Sequence, residues 1–139
     1  MFTDIEGSTR LLIERGVGYR DLLAAHHRAL RAAIQAHDGI EVGTEGDAFF
    51  VVFAEAADAL RAAVAAQAAF EDGPVSVRMG VHVGEPELTE NGYVGIDVHR
   101  AARISAAARG GQILLSRKTC ELAGAAGLVL LDLGEHRLV

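Results

Sequence analysis

Helical and strand periods alternate along this sequence. One pair of strands is joined by a tight Gly-Asp turn, and the strand after that turn is almost wholly apolar. These observations predict an α+β fold, a mixed β-sheet covered by helices. With 139 residues the chain makes one domain, 1–139, long enough for a real core.

The elements follow in order. The opening FTDIEGSTRL puts Phe2 and Ile5 at a strand end, and Gly7, Ser8 and Thr9 break that strand. Ser8 or Thr9 can cap a short helix, interrupted around Gly16 and Gly18. Over residues 19–37, Tyr19, Leu22, Leu23, His26, Leu30, Ala33, Ile34 and His37 recur at helical steps, and Asp38-Gly39 ends the run. Ile40 to Thr44 reads as a strand, Gly46-Asp47 as a hairpin turn, and Ala48 to Ala54 as a strand buried on both faces. Residues 55–70 form an alanine-rich helix with Leu60, Ala63, Val64 and Ala68 on one stripe, stopped by Gly73-Pro74. Val75 to Gly84 alternates at period two. Residues 85–94 read as a polar loop. A helix runs from Asp97 to about Arg109, then come a short strand at Gln112–Leu115 and a helix from Ser116 to about Ala123. Val129–Leu133 and Glu135–Leu138 read as a last hairpin around Gly134. Within this order the unit β-α-β-β-α-β predicts a ferredoxin-like arrangement.

Half of the residues are apolar, 23% are charged and the net charge is −6. That acidic balance argues against binding a nucleic-acid backbone or an anionic membrane surface. No stretch reaches transmembrane length and no signal peptide is visible. Cys120 is the only cysteine, so no internal disulfide forms and a reducing, cytoplasmic setting fits. The expectation is a cytoplasmic domain cut from a larger protein, which could itself be membrane-anchored.

An acid at the end of an apolar strand, followed by a Gly-Ser-Thr turn, has two readings. One is a solvated strand end with a helix cap. The other is a metal and phosphate site, because a carboxylate binds a hard cation and the free N–H groups of a helix start receive phosphate oxygens. Asp47 bears on the choice. In a ferredoxin-like sheet the first strand lies beside the hairpin, so Asp4 and Asp47 are expected at neighbouring positions. Two such carboxylates repel unless a cation sits between them, which points to one or two Mg²⁺ or Mn²⁺ ions on a polyphosphate. The helix DVHRAARIS adds His99 and Arg103, one turn apart on a shared face. A cation and a hydrogen-bond donor so placed suit a pentavalent phosphoryl transition state. Val98, Ala101, Ala102 and Ser105 form a separate packing stripe. His26, His27, His37, His82 and His136 have no metal-ligand spacing.

Together, FTDIEGST, EVGTEGDAFFVVF, VRMGVHVGE, GYVGIDVHRAARI and GGQILLS resemble the class III adenylate/guanylate cyclase catalytic domain over almost the whole chain. The resemblance implies the nucleotidyl cyclase fold and the conversion of ATP to 3′,5′-cyclic AMP and pyrophosphate. It implies two Mg²⁺ or Mn²⁺ ions per site on Asp4, Asp47 and the Ile5 carbonyl, one activating the ribose 3′-hydroxyl and one neutralising the triphosphate. Glu6, Gly7, Ser8 and Thr9 would hold the β- and γ-phosphates, and Arg103 would steady the α-phosphate. It also implies a head-to-tail homodimer, one chain giving the metals and the other the arginine helix.

Four positions depart from the family pattern. Gly43 stands where an adenine-reading lysine is expected, four residues before Asp47. Its partner, usually Asp or Thr, falls at Gly92, or at Asn91 after a one-residue shift. His99 replaces the ribose-orienting asparagine. A late lysine for the triphosphate is not found by Val139. Discrimination of ATP from GTP is therefore expected to be poor, or to come from Glu41, Thr44, Asn91 or Tyr93. The alternative expectation is a silent cyclase-like module that binds nucleotide or dimerises and regulates an attached domain. A diguanylate cyclase relative is disfavoured, because EGDAF replaces that family's GG-acid-acid-Phe hairpin.

Overall fold

The computed structural model describes residues 1–139, with side-chain surroundings for all of them except Ala125. Strand β1 (Phe2–Ile5) leads into helix α1 (Ser8–Arg15), a 3-10 turn at Gly16–Gly18 and helix α2 (Tyr19–Ala36). The hairpin β2 (Ile40–Glu45) and β3 (Ala48–Val52) precedes α3 (Ala56–Phe70) and β4 (Val77–Val81). A second hairpin, β5 (Glu87–Thr89) and β6 (Gly92–Val94), is followed by α4 (Ile96–Ala107), β7 (Ile113–Leu115), α5 (Arg117–Ala123) and a 3-10 turn at Gly124–Gly127.

The main sheet has the order β2-β3-β1-β4-β7. β1 is antiparallel to both neighbours, β3 and β4, while β7 joins β4 in parallel. The first four strands carry the ferredoxin-like order expected from β-α-β-β-α-β, and α4 is the crossover that a parallel fifth strand requires. Alternation assigns the faces. Thr3, Ile5, Phe49, Val51, Val77 and Met79 are buried, and the apolar ones form the core with Leu30 and Ile34 of α2 and Leu60, Ala63 and Phe70 of α3. The opposite face receives α4, which packs on β4, β1 and β7.

That second packing depends on small residues. A Cβ on Gly80 would lie 2.2 Å from the Ser105 nitrogen and 2.6 Å from its Cα. Only glycine lets the α4 backbone lie so close, and Ala101, Ile104 and Ser105 form the buried stripe of the helix. Ser105 Oγ donates to the Phe2 carbonyl at 3.1 Å, which stitches helix to strand.

Several expectations are corrected. No side chain caps α1; its N-cap is Gly7 in the left-handed region at φ 68°, a conformation that Ser8 or Thr9 would adopt at a cost. β3 is not buried on both faces, because Phe50 and Val52 stay half-buried where α4 does not cover them; Phe50 stacks on Phe2 at 4.4 Å. In α3, Val64 and Ala68 face outward, and Ala59, Ala62, Ala66 and Phe70 complete the buried stripe with Leu60 and Ala63. A helix of mostly alanine has too little contrast for the period to fix its face. Residues 85–94 form a hairpin rather than a loop. Among the described residues no strand follows Leu115, so the expected hairpin at Val129–Leu138 is absent.

Candidate active site

Asp4 lies near the end of β1, between the inward-facing Thr3 and Ile5, and so points to the face that α4 covers. Directly opposite it on β4 is Arg78. The guanidinium grips the carboxylate with two prongs: Nε donates to Oδ1, and Nη2 to Oδ2 at 3.0 Å. Its remaining nitrogen, Nη1, reaches the Ala106 carbonyl at 3.4 Å. That carbonyl is in the last turn of α4, where the helix dipole favours a cation. The Asp4 hydrogen bonds, and the fields of Asp4, Glu6 and Asp47, hold the Arg78 pKa above its ordinary value against partial burial. Arg78 thus sits as a cation among three carboxylates.

Asp47 arrives from the other side. Gly46, at φ 59°, turns the β2–β3 hairpin, and Asp47 Oδ2 accepts the Ile5 amide at 2.6 Å. The two acids therefore flank one peptide unit of β1, as the sequence leads one to expect. Helix α2 holds the tip. His27 Nε2 donates to the Gly46 carbonyl at 2.8 Å and His26 Nε2 to the Asp47 carbonyl at 3.2 Å. Burial pushes the His26 pKa down, so the ring is neutral. With the proton on Nε2, the buried Nδ1 is a bare acceptor that no described atom satisfies.

The turn after β1 presents Gly7 and the start of α1, closed by the Leu11 amide on the Gly7 carbonyl at 3.1 Å. No side chain bonds the first free N–H groups of α1. They are oriented as an anion site at the end of the strand that carries Asp4.

His99 and Arg103 lie on the exposed face of α4. Among the described residues no hydrogen bond or ion pair joins either of them to Asp4 or Asp47. The start of α4 is fixed by a partly buried network: His82, whose side chain is only 4% exposed, bonds Ser116 Oγ through Nδ1 at 2.7 Å and Asp97 Oδ1 through Nε2 at 2.9 Å. The hydrogen bond from His82 is the main reason that the Asp97 carboxyl titrates below its usual range.

The expected base-reading positions also meet. A Cβ on Gly92 would touch Val42 Cγ1 at 3.7 Å, which lays the β5–β6 hairpin beside β2 next to Gly43. Gly43 pairs with Phe50 and shares its face, whereas Glu41 pairs with Val51 and Thr44 with Phe49. Glu41 and Thr44 therefore face the helix layer, a consequence of the bulge at residues 41–43. Arg31 of α2 binds Glu41 with two bonds of 2.8 Å, and Thr44 Oγ1 donates to the same carboxylate. These two residues point away from Gly43, which leaves Asn91 and Tyr93 as the side chains beside Gly92.

The donor set fits a hard divalent cation, with carboxylate and carbonyl oxygens only. A cationic group, Arg78, already lies among them. No cluster of three or more His, Cys, Asp or Glu occurs among the described residues. The chain supplies two carboxylates and a backbone carbonyl, and phosphate or water would complete the shell, the usual pattern for Mg²⁺.

A family model described as the adenylate and guanylate cyclase catalytic domain matches residues 1–138. The chain belongs to this family. An adenylate cyclase of Mycosarcoma maydis is 37% identical, over 91% of this chain and 6% of that protein. An uncharacterized Mycobacterium tuberculosis protein is 34% identical over 99% of this chain and 50% of its own length. The cyclase domain thus spans about half, or far less, of the curated relatives that it matches. Among solved structures, an adenylate cyclase of Trypanosoma brucei in its monomeric state superposes with a TM-score of 0.82 at 26% identity, covering 90% of this chain and 75% of that one. The adenylyl cyclase CyaB from P. aeruginosa has a TM-score of 0.83 at 22% identity, over 99% and 84%, which establishes the shared fold. Among the described residues no helix is long and apolar enough to cross a membrane.

Proposed function

We propose that this domain is a nucleotidyl cyclase that converts ATP to 3′,5′-cyclic AMP and pyrophosphate at a homodimer interface. The observation that carries the reading is the meeting of Asp4 and Asp47 across the Asp4–Ile5 peptide, beside the uncapped start of α1. Asp4, Asp47 and the Ile5 carbonyl hold Mg²⁺ or Mn²⁺. Bound there, such ions supply Lewis acidity to the ribose 3′-hydroxyl and offset the triphosphate charge. Glu6, Gly7, Ser8 and Thr9 form the β,γ-phosphate loop, in which backbone N–H groups do the binding.

In the reaction the 3′-hydroxyl gives its proton to solvent, the O3′–Pα bond forms, the bond from Pα to the bridging oxygen breaks, and pyrophosphate leaves. Arg103 donates to the α-phosphate oxygens as charge accumulates there. The His99 ring donates to the ribose. Both come from a second copy, in keeping with their exposure on α4 and their lack of contact with the acids. The half-exposed Phe2–Phe50 stack and the exposed Leu88, Val94 and Ile96 offer apolar surface for that partner.

Gly43 and Gly92 meet the base through backbone groups alone, and Glu41 and Thr44 face away. Selectivity for ATP over GTP is accordingly weak, or rests on Asn91 or Tyr93 beside Gly92. A second reading is a catalytically silent module that regulates an attached domain. It draws on Gly43, Gly92 and His99, and on the engagement of Asp4 by Arg78.

The test is cyclic nucleotide production from ATP and from GTP with Mn²⁺ and Mg²⁺, beside Asp47→Ala. Product that the variant fails to make is the expected result. No metal-dependent product from a folded dimer would transfer support to the silent module.

A further inference from the structure

We propose that Arg78 is an internal cation that holds Asp4 while no metal is bound, so that metal binding and release of Arg78 are one exchange. The proposal rests on the reading that Asp4 and Asp47 hold the metal.

The geometry sets up a competition. Both Asp4 oxygens accept from the guanidinium fork. Asp47 has one oxygen committed to the Ile5 amide. A divalent ion entering between them meets a carboxylate already neutralised, with a positive charge at its side. Asp4 and Arg78 have side chains 28% and 30% exposed, so solvent screens that repulsion only in part. The pairing also explains how two acids remain together without a metal: Arg78 supplies the positive charge that their approach requires. An alternative perch exists. The guanidinium already touches the Ala106 carbonyl and feels the field of Glu6, so it can leave Asp4 without entering bulk solvent alone. Metal without nucleotide should therefore bind weakly, and removal of the guanidinium should tighten it.

The experiment is a titration of the nucleotide-free protein with Mn²⁺, reading free ion by electron paramagnetic resonance. Arg78→Gln is expected to bind Mn²⁺ on the order of tenfold more tightly than the native chain, a factor within reach of one lost charge-assisted pair. Arg78→Lys keeps the charge but lacks the fork, and is expected to gain less. Equal or weaker binding by Arg78→Gln overturns the proposal. A measurement on the native chain covers a variant that fails to fold. The Arg78 Nε–H exchange rate should rise on saturation with Mg²⁺, and protection that persists with Mg²⁺ bound would overturn the exchange. Adding Asp47→Asn to Arg78→Gln separates the two ideas. Loss of the gained affinity keeps Asp47 as a ligand, whereas an undiminished gain removes the two-acid site and this proposal with it. If Arg78→Gln gains nothing while the native chain makes cyclic nucleotide and Asp47→Ala does not, only the exchange falls.

Discussion

Replacing Gly80 by alanine tests how the sheet and the arginine helix are joined. The added Cβ would stand 2.2 Å from the Ser105 nitrogen, 2.6 Å from its Cα and 2.9 Å from the Ile104 carbonyl carbon. All three are backbone atoms, so no side chain can swing away. Ordinary carbon contacts need about 3.5–4.0 Å, and α4 must retreat by roughly 1 Å or more. Overpacking of this kind costs about 1–3 kcal/mol. Stretching the Ser105–Phe2 hydrogen bond adds about 1 kcal/mol, and the lower entropy of the unfolded alanine chain offsets about 0.4–1 kcal/mol. The net loss of about 1–3 kcal/mol corresponds to a melting point lower by roughly 3–10 °C for a domain of this size. Gly43→Ala is the matched control, because nothing lies within 4 Å of its Cβ position and its φ is unexceptional. Its melting point should stay within about 2 °C of the native value. Thermal unfolding followed by circular dichroism reads both. A Gly80→Ala chain as stable as the Gly43→Ala chain would refute the close packing of α4 on β4.

Two other perturbations follow from the site's surroundings. Glu41 titrates at about 2 in the folded chain, held down chiefly by its hydrogen bonds to Arg31, against an ordinary 4.5. The unfolded chain therefore takes up the proton first as pH falls. The pair's stabilisation is complete above pH 4.5 and is lost as pH drops towards 2. Both side chains are partly exposed, so the loss is on the order of 1 kcal/mol; Glu41→Gln should remove this acid limb from urea-denaturation curves, and an unchanged limb would exclude the pair as its source. His82→Ala leaves Asp97 and Ser116 without their buried partner and should cost about 1–3 kcal/mol. Hydrogen exchange should quicken first at the start of α4, and uniform quickening across the sheet would contradict a local anchoring role.

The parts of the fold legible in the sequence are those with strong contrast. The period of α2, the Gly-Asp turn and the alternation of β4 each marked an element, and their order gave the sheet. In α3, alanine on every side erased the difference between faces. Strands β5 and β6 have three residues each, too few for a period to register. Leu128–Val139 carries the apolar and turn residues of a hairpin, yet pattern alone supplies no partner strand. The site divides in the same way. Asp4 and Asp47 stood out because acids interrupt apolar strands beside glycine turns. Arg78 did not, because an arginine in VSVRMGV reads as a solvent-facing position. Its importance appears only in the register that sets it opposite Asp4. His26 was legible as part of a helical stripe, but the contact of His26 and His27 with the Asp47 hairpin is tertiary and left no local signature.

Mixing two inactive chains tests whether the active site is shared between two copies. Asp47→Ala lacks one acid, and Arg103→Ala lacks the arginine. If Asp4 and Asp47 of one copy act with Arg103 of another, heterodimers contain one intact site. Equal amounts of the two chains should then recover roughly a quarter of native cyclic-nucleotide output, since about half the dimers are mixed and each has one of its two sites intact. Native mass spectrometry would establish that the heterodimers form. Heterodimers without activity, beside an active native chain, would contradict a site shared between two copies.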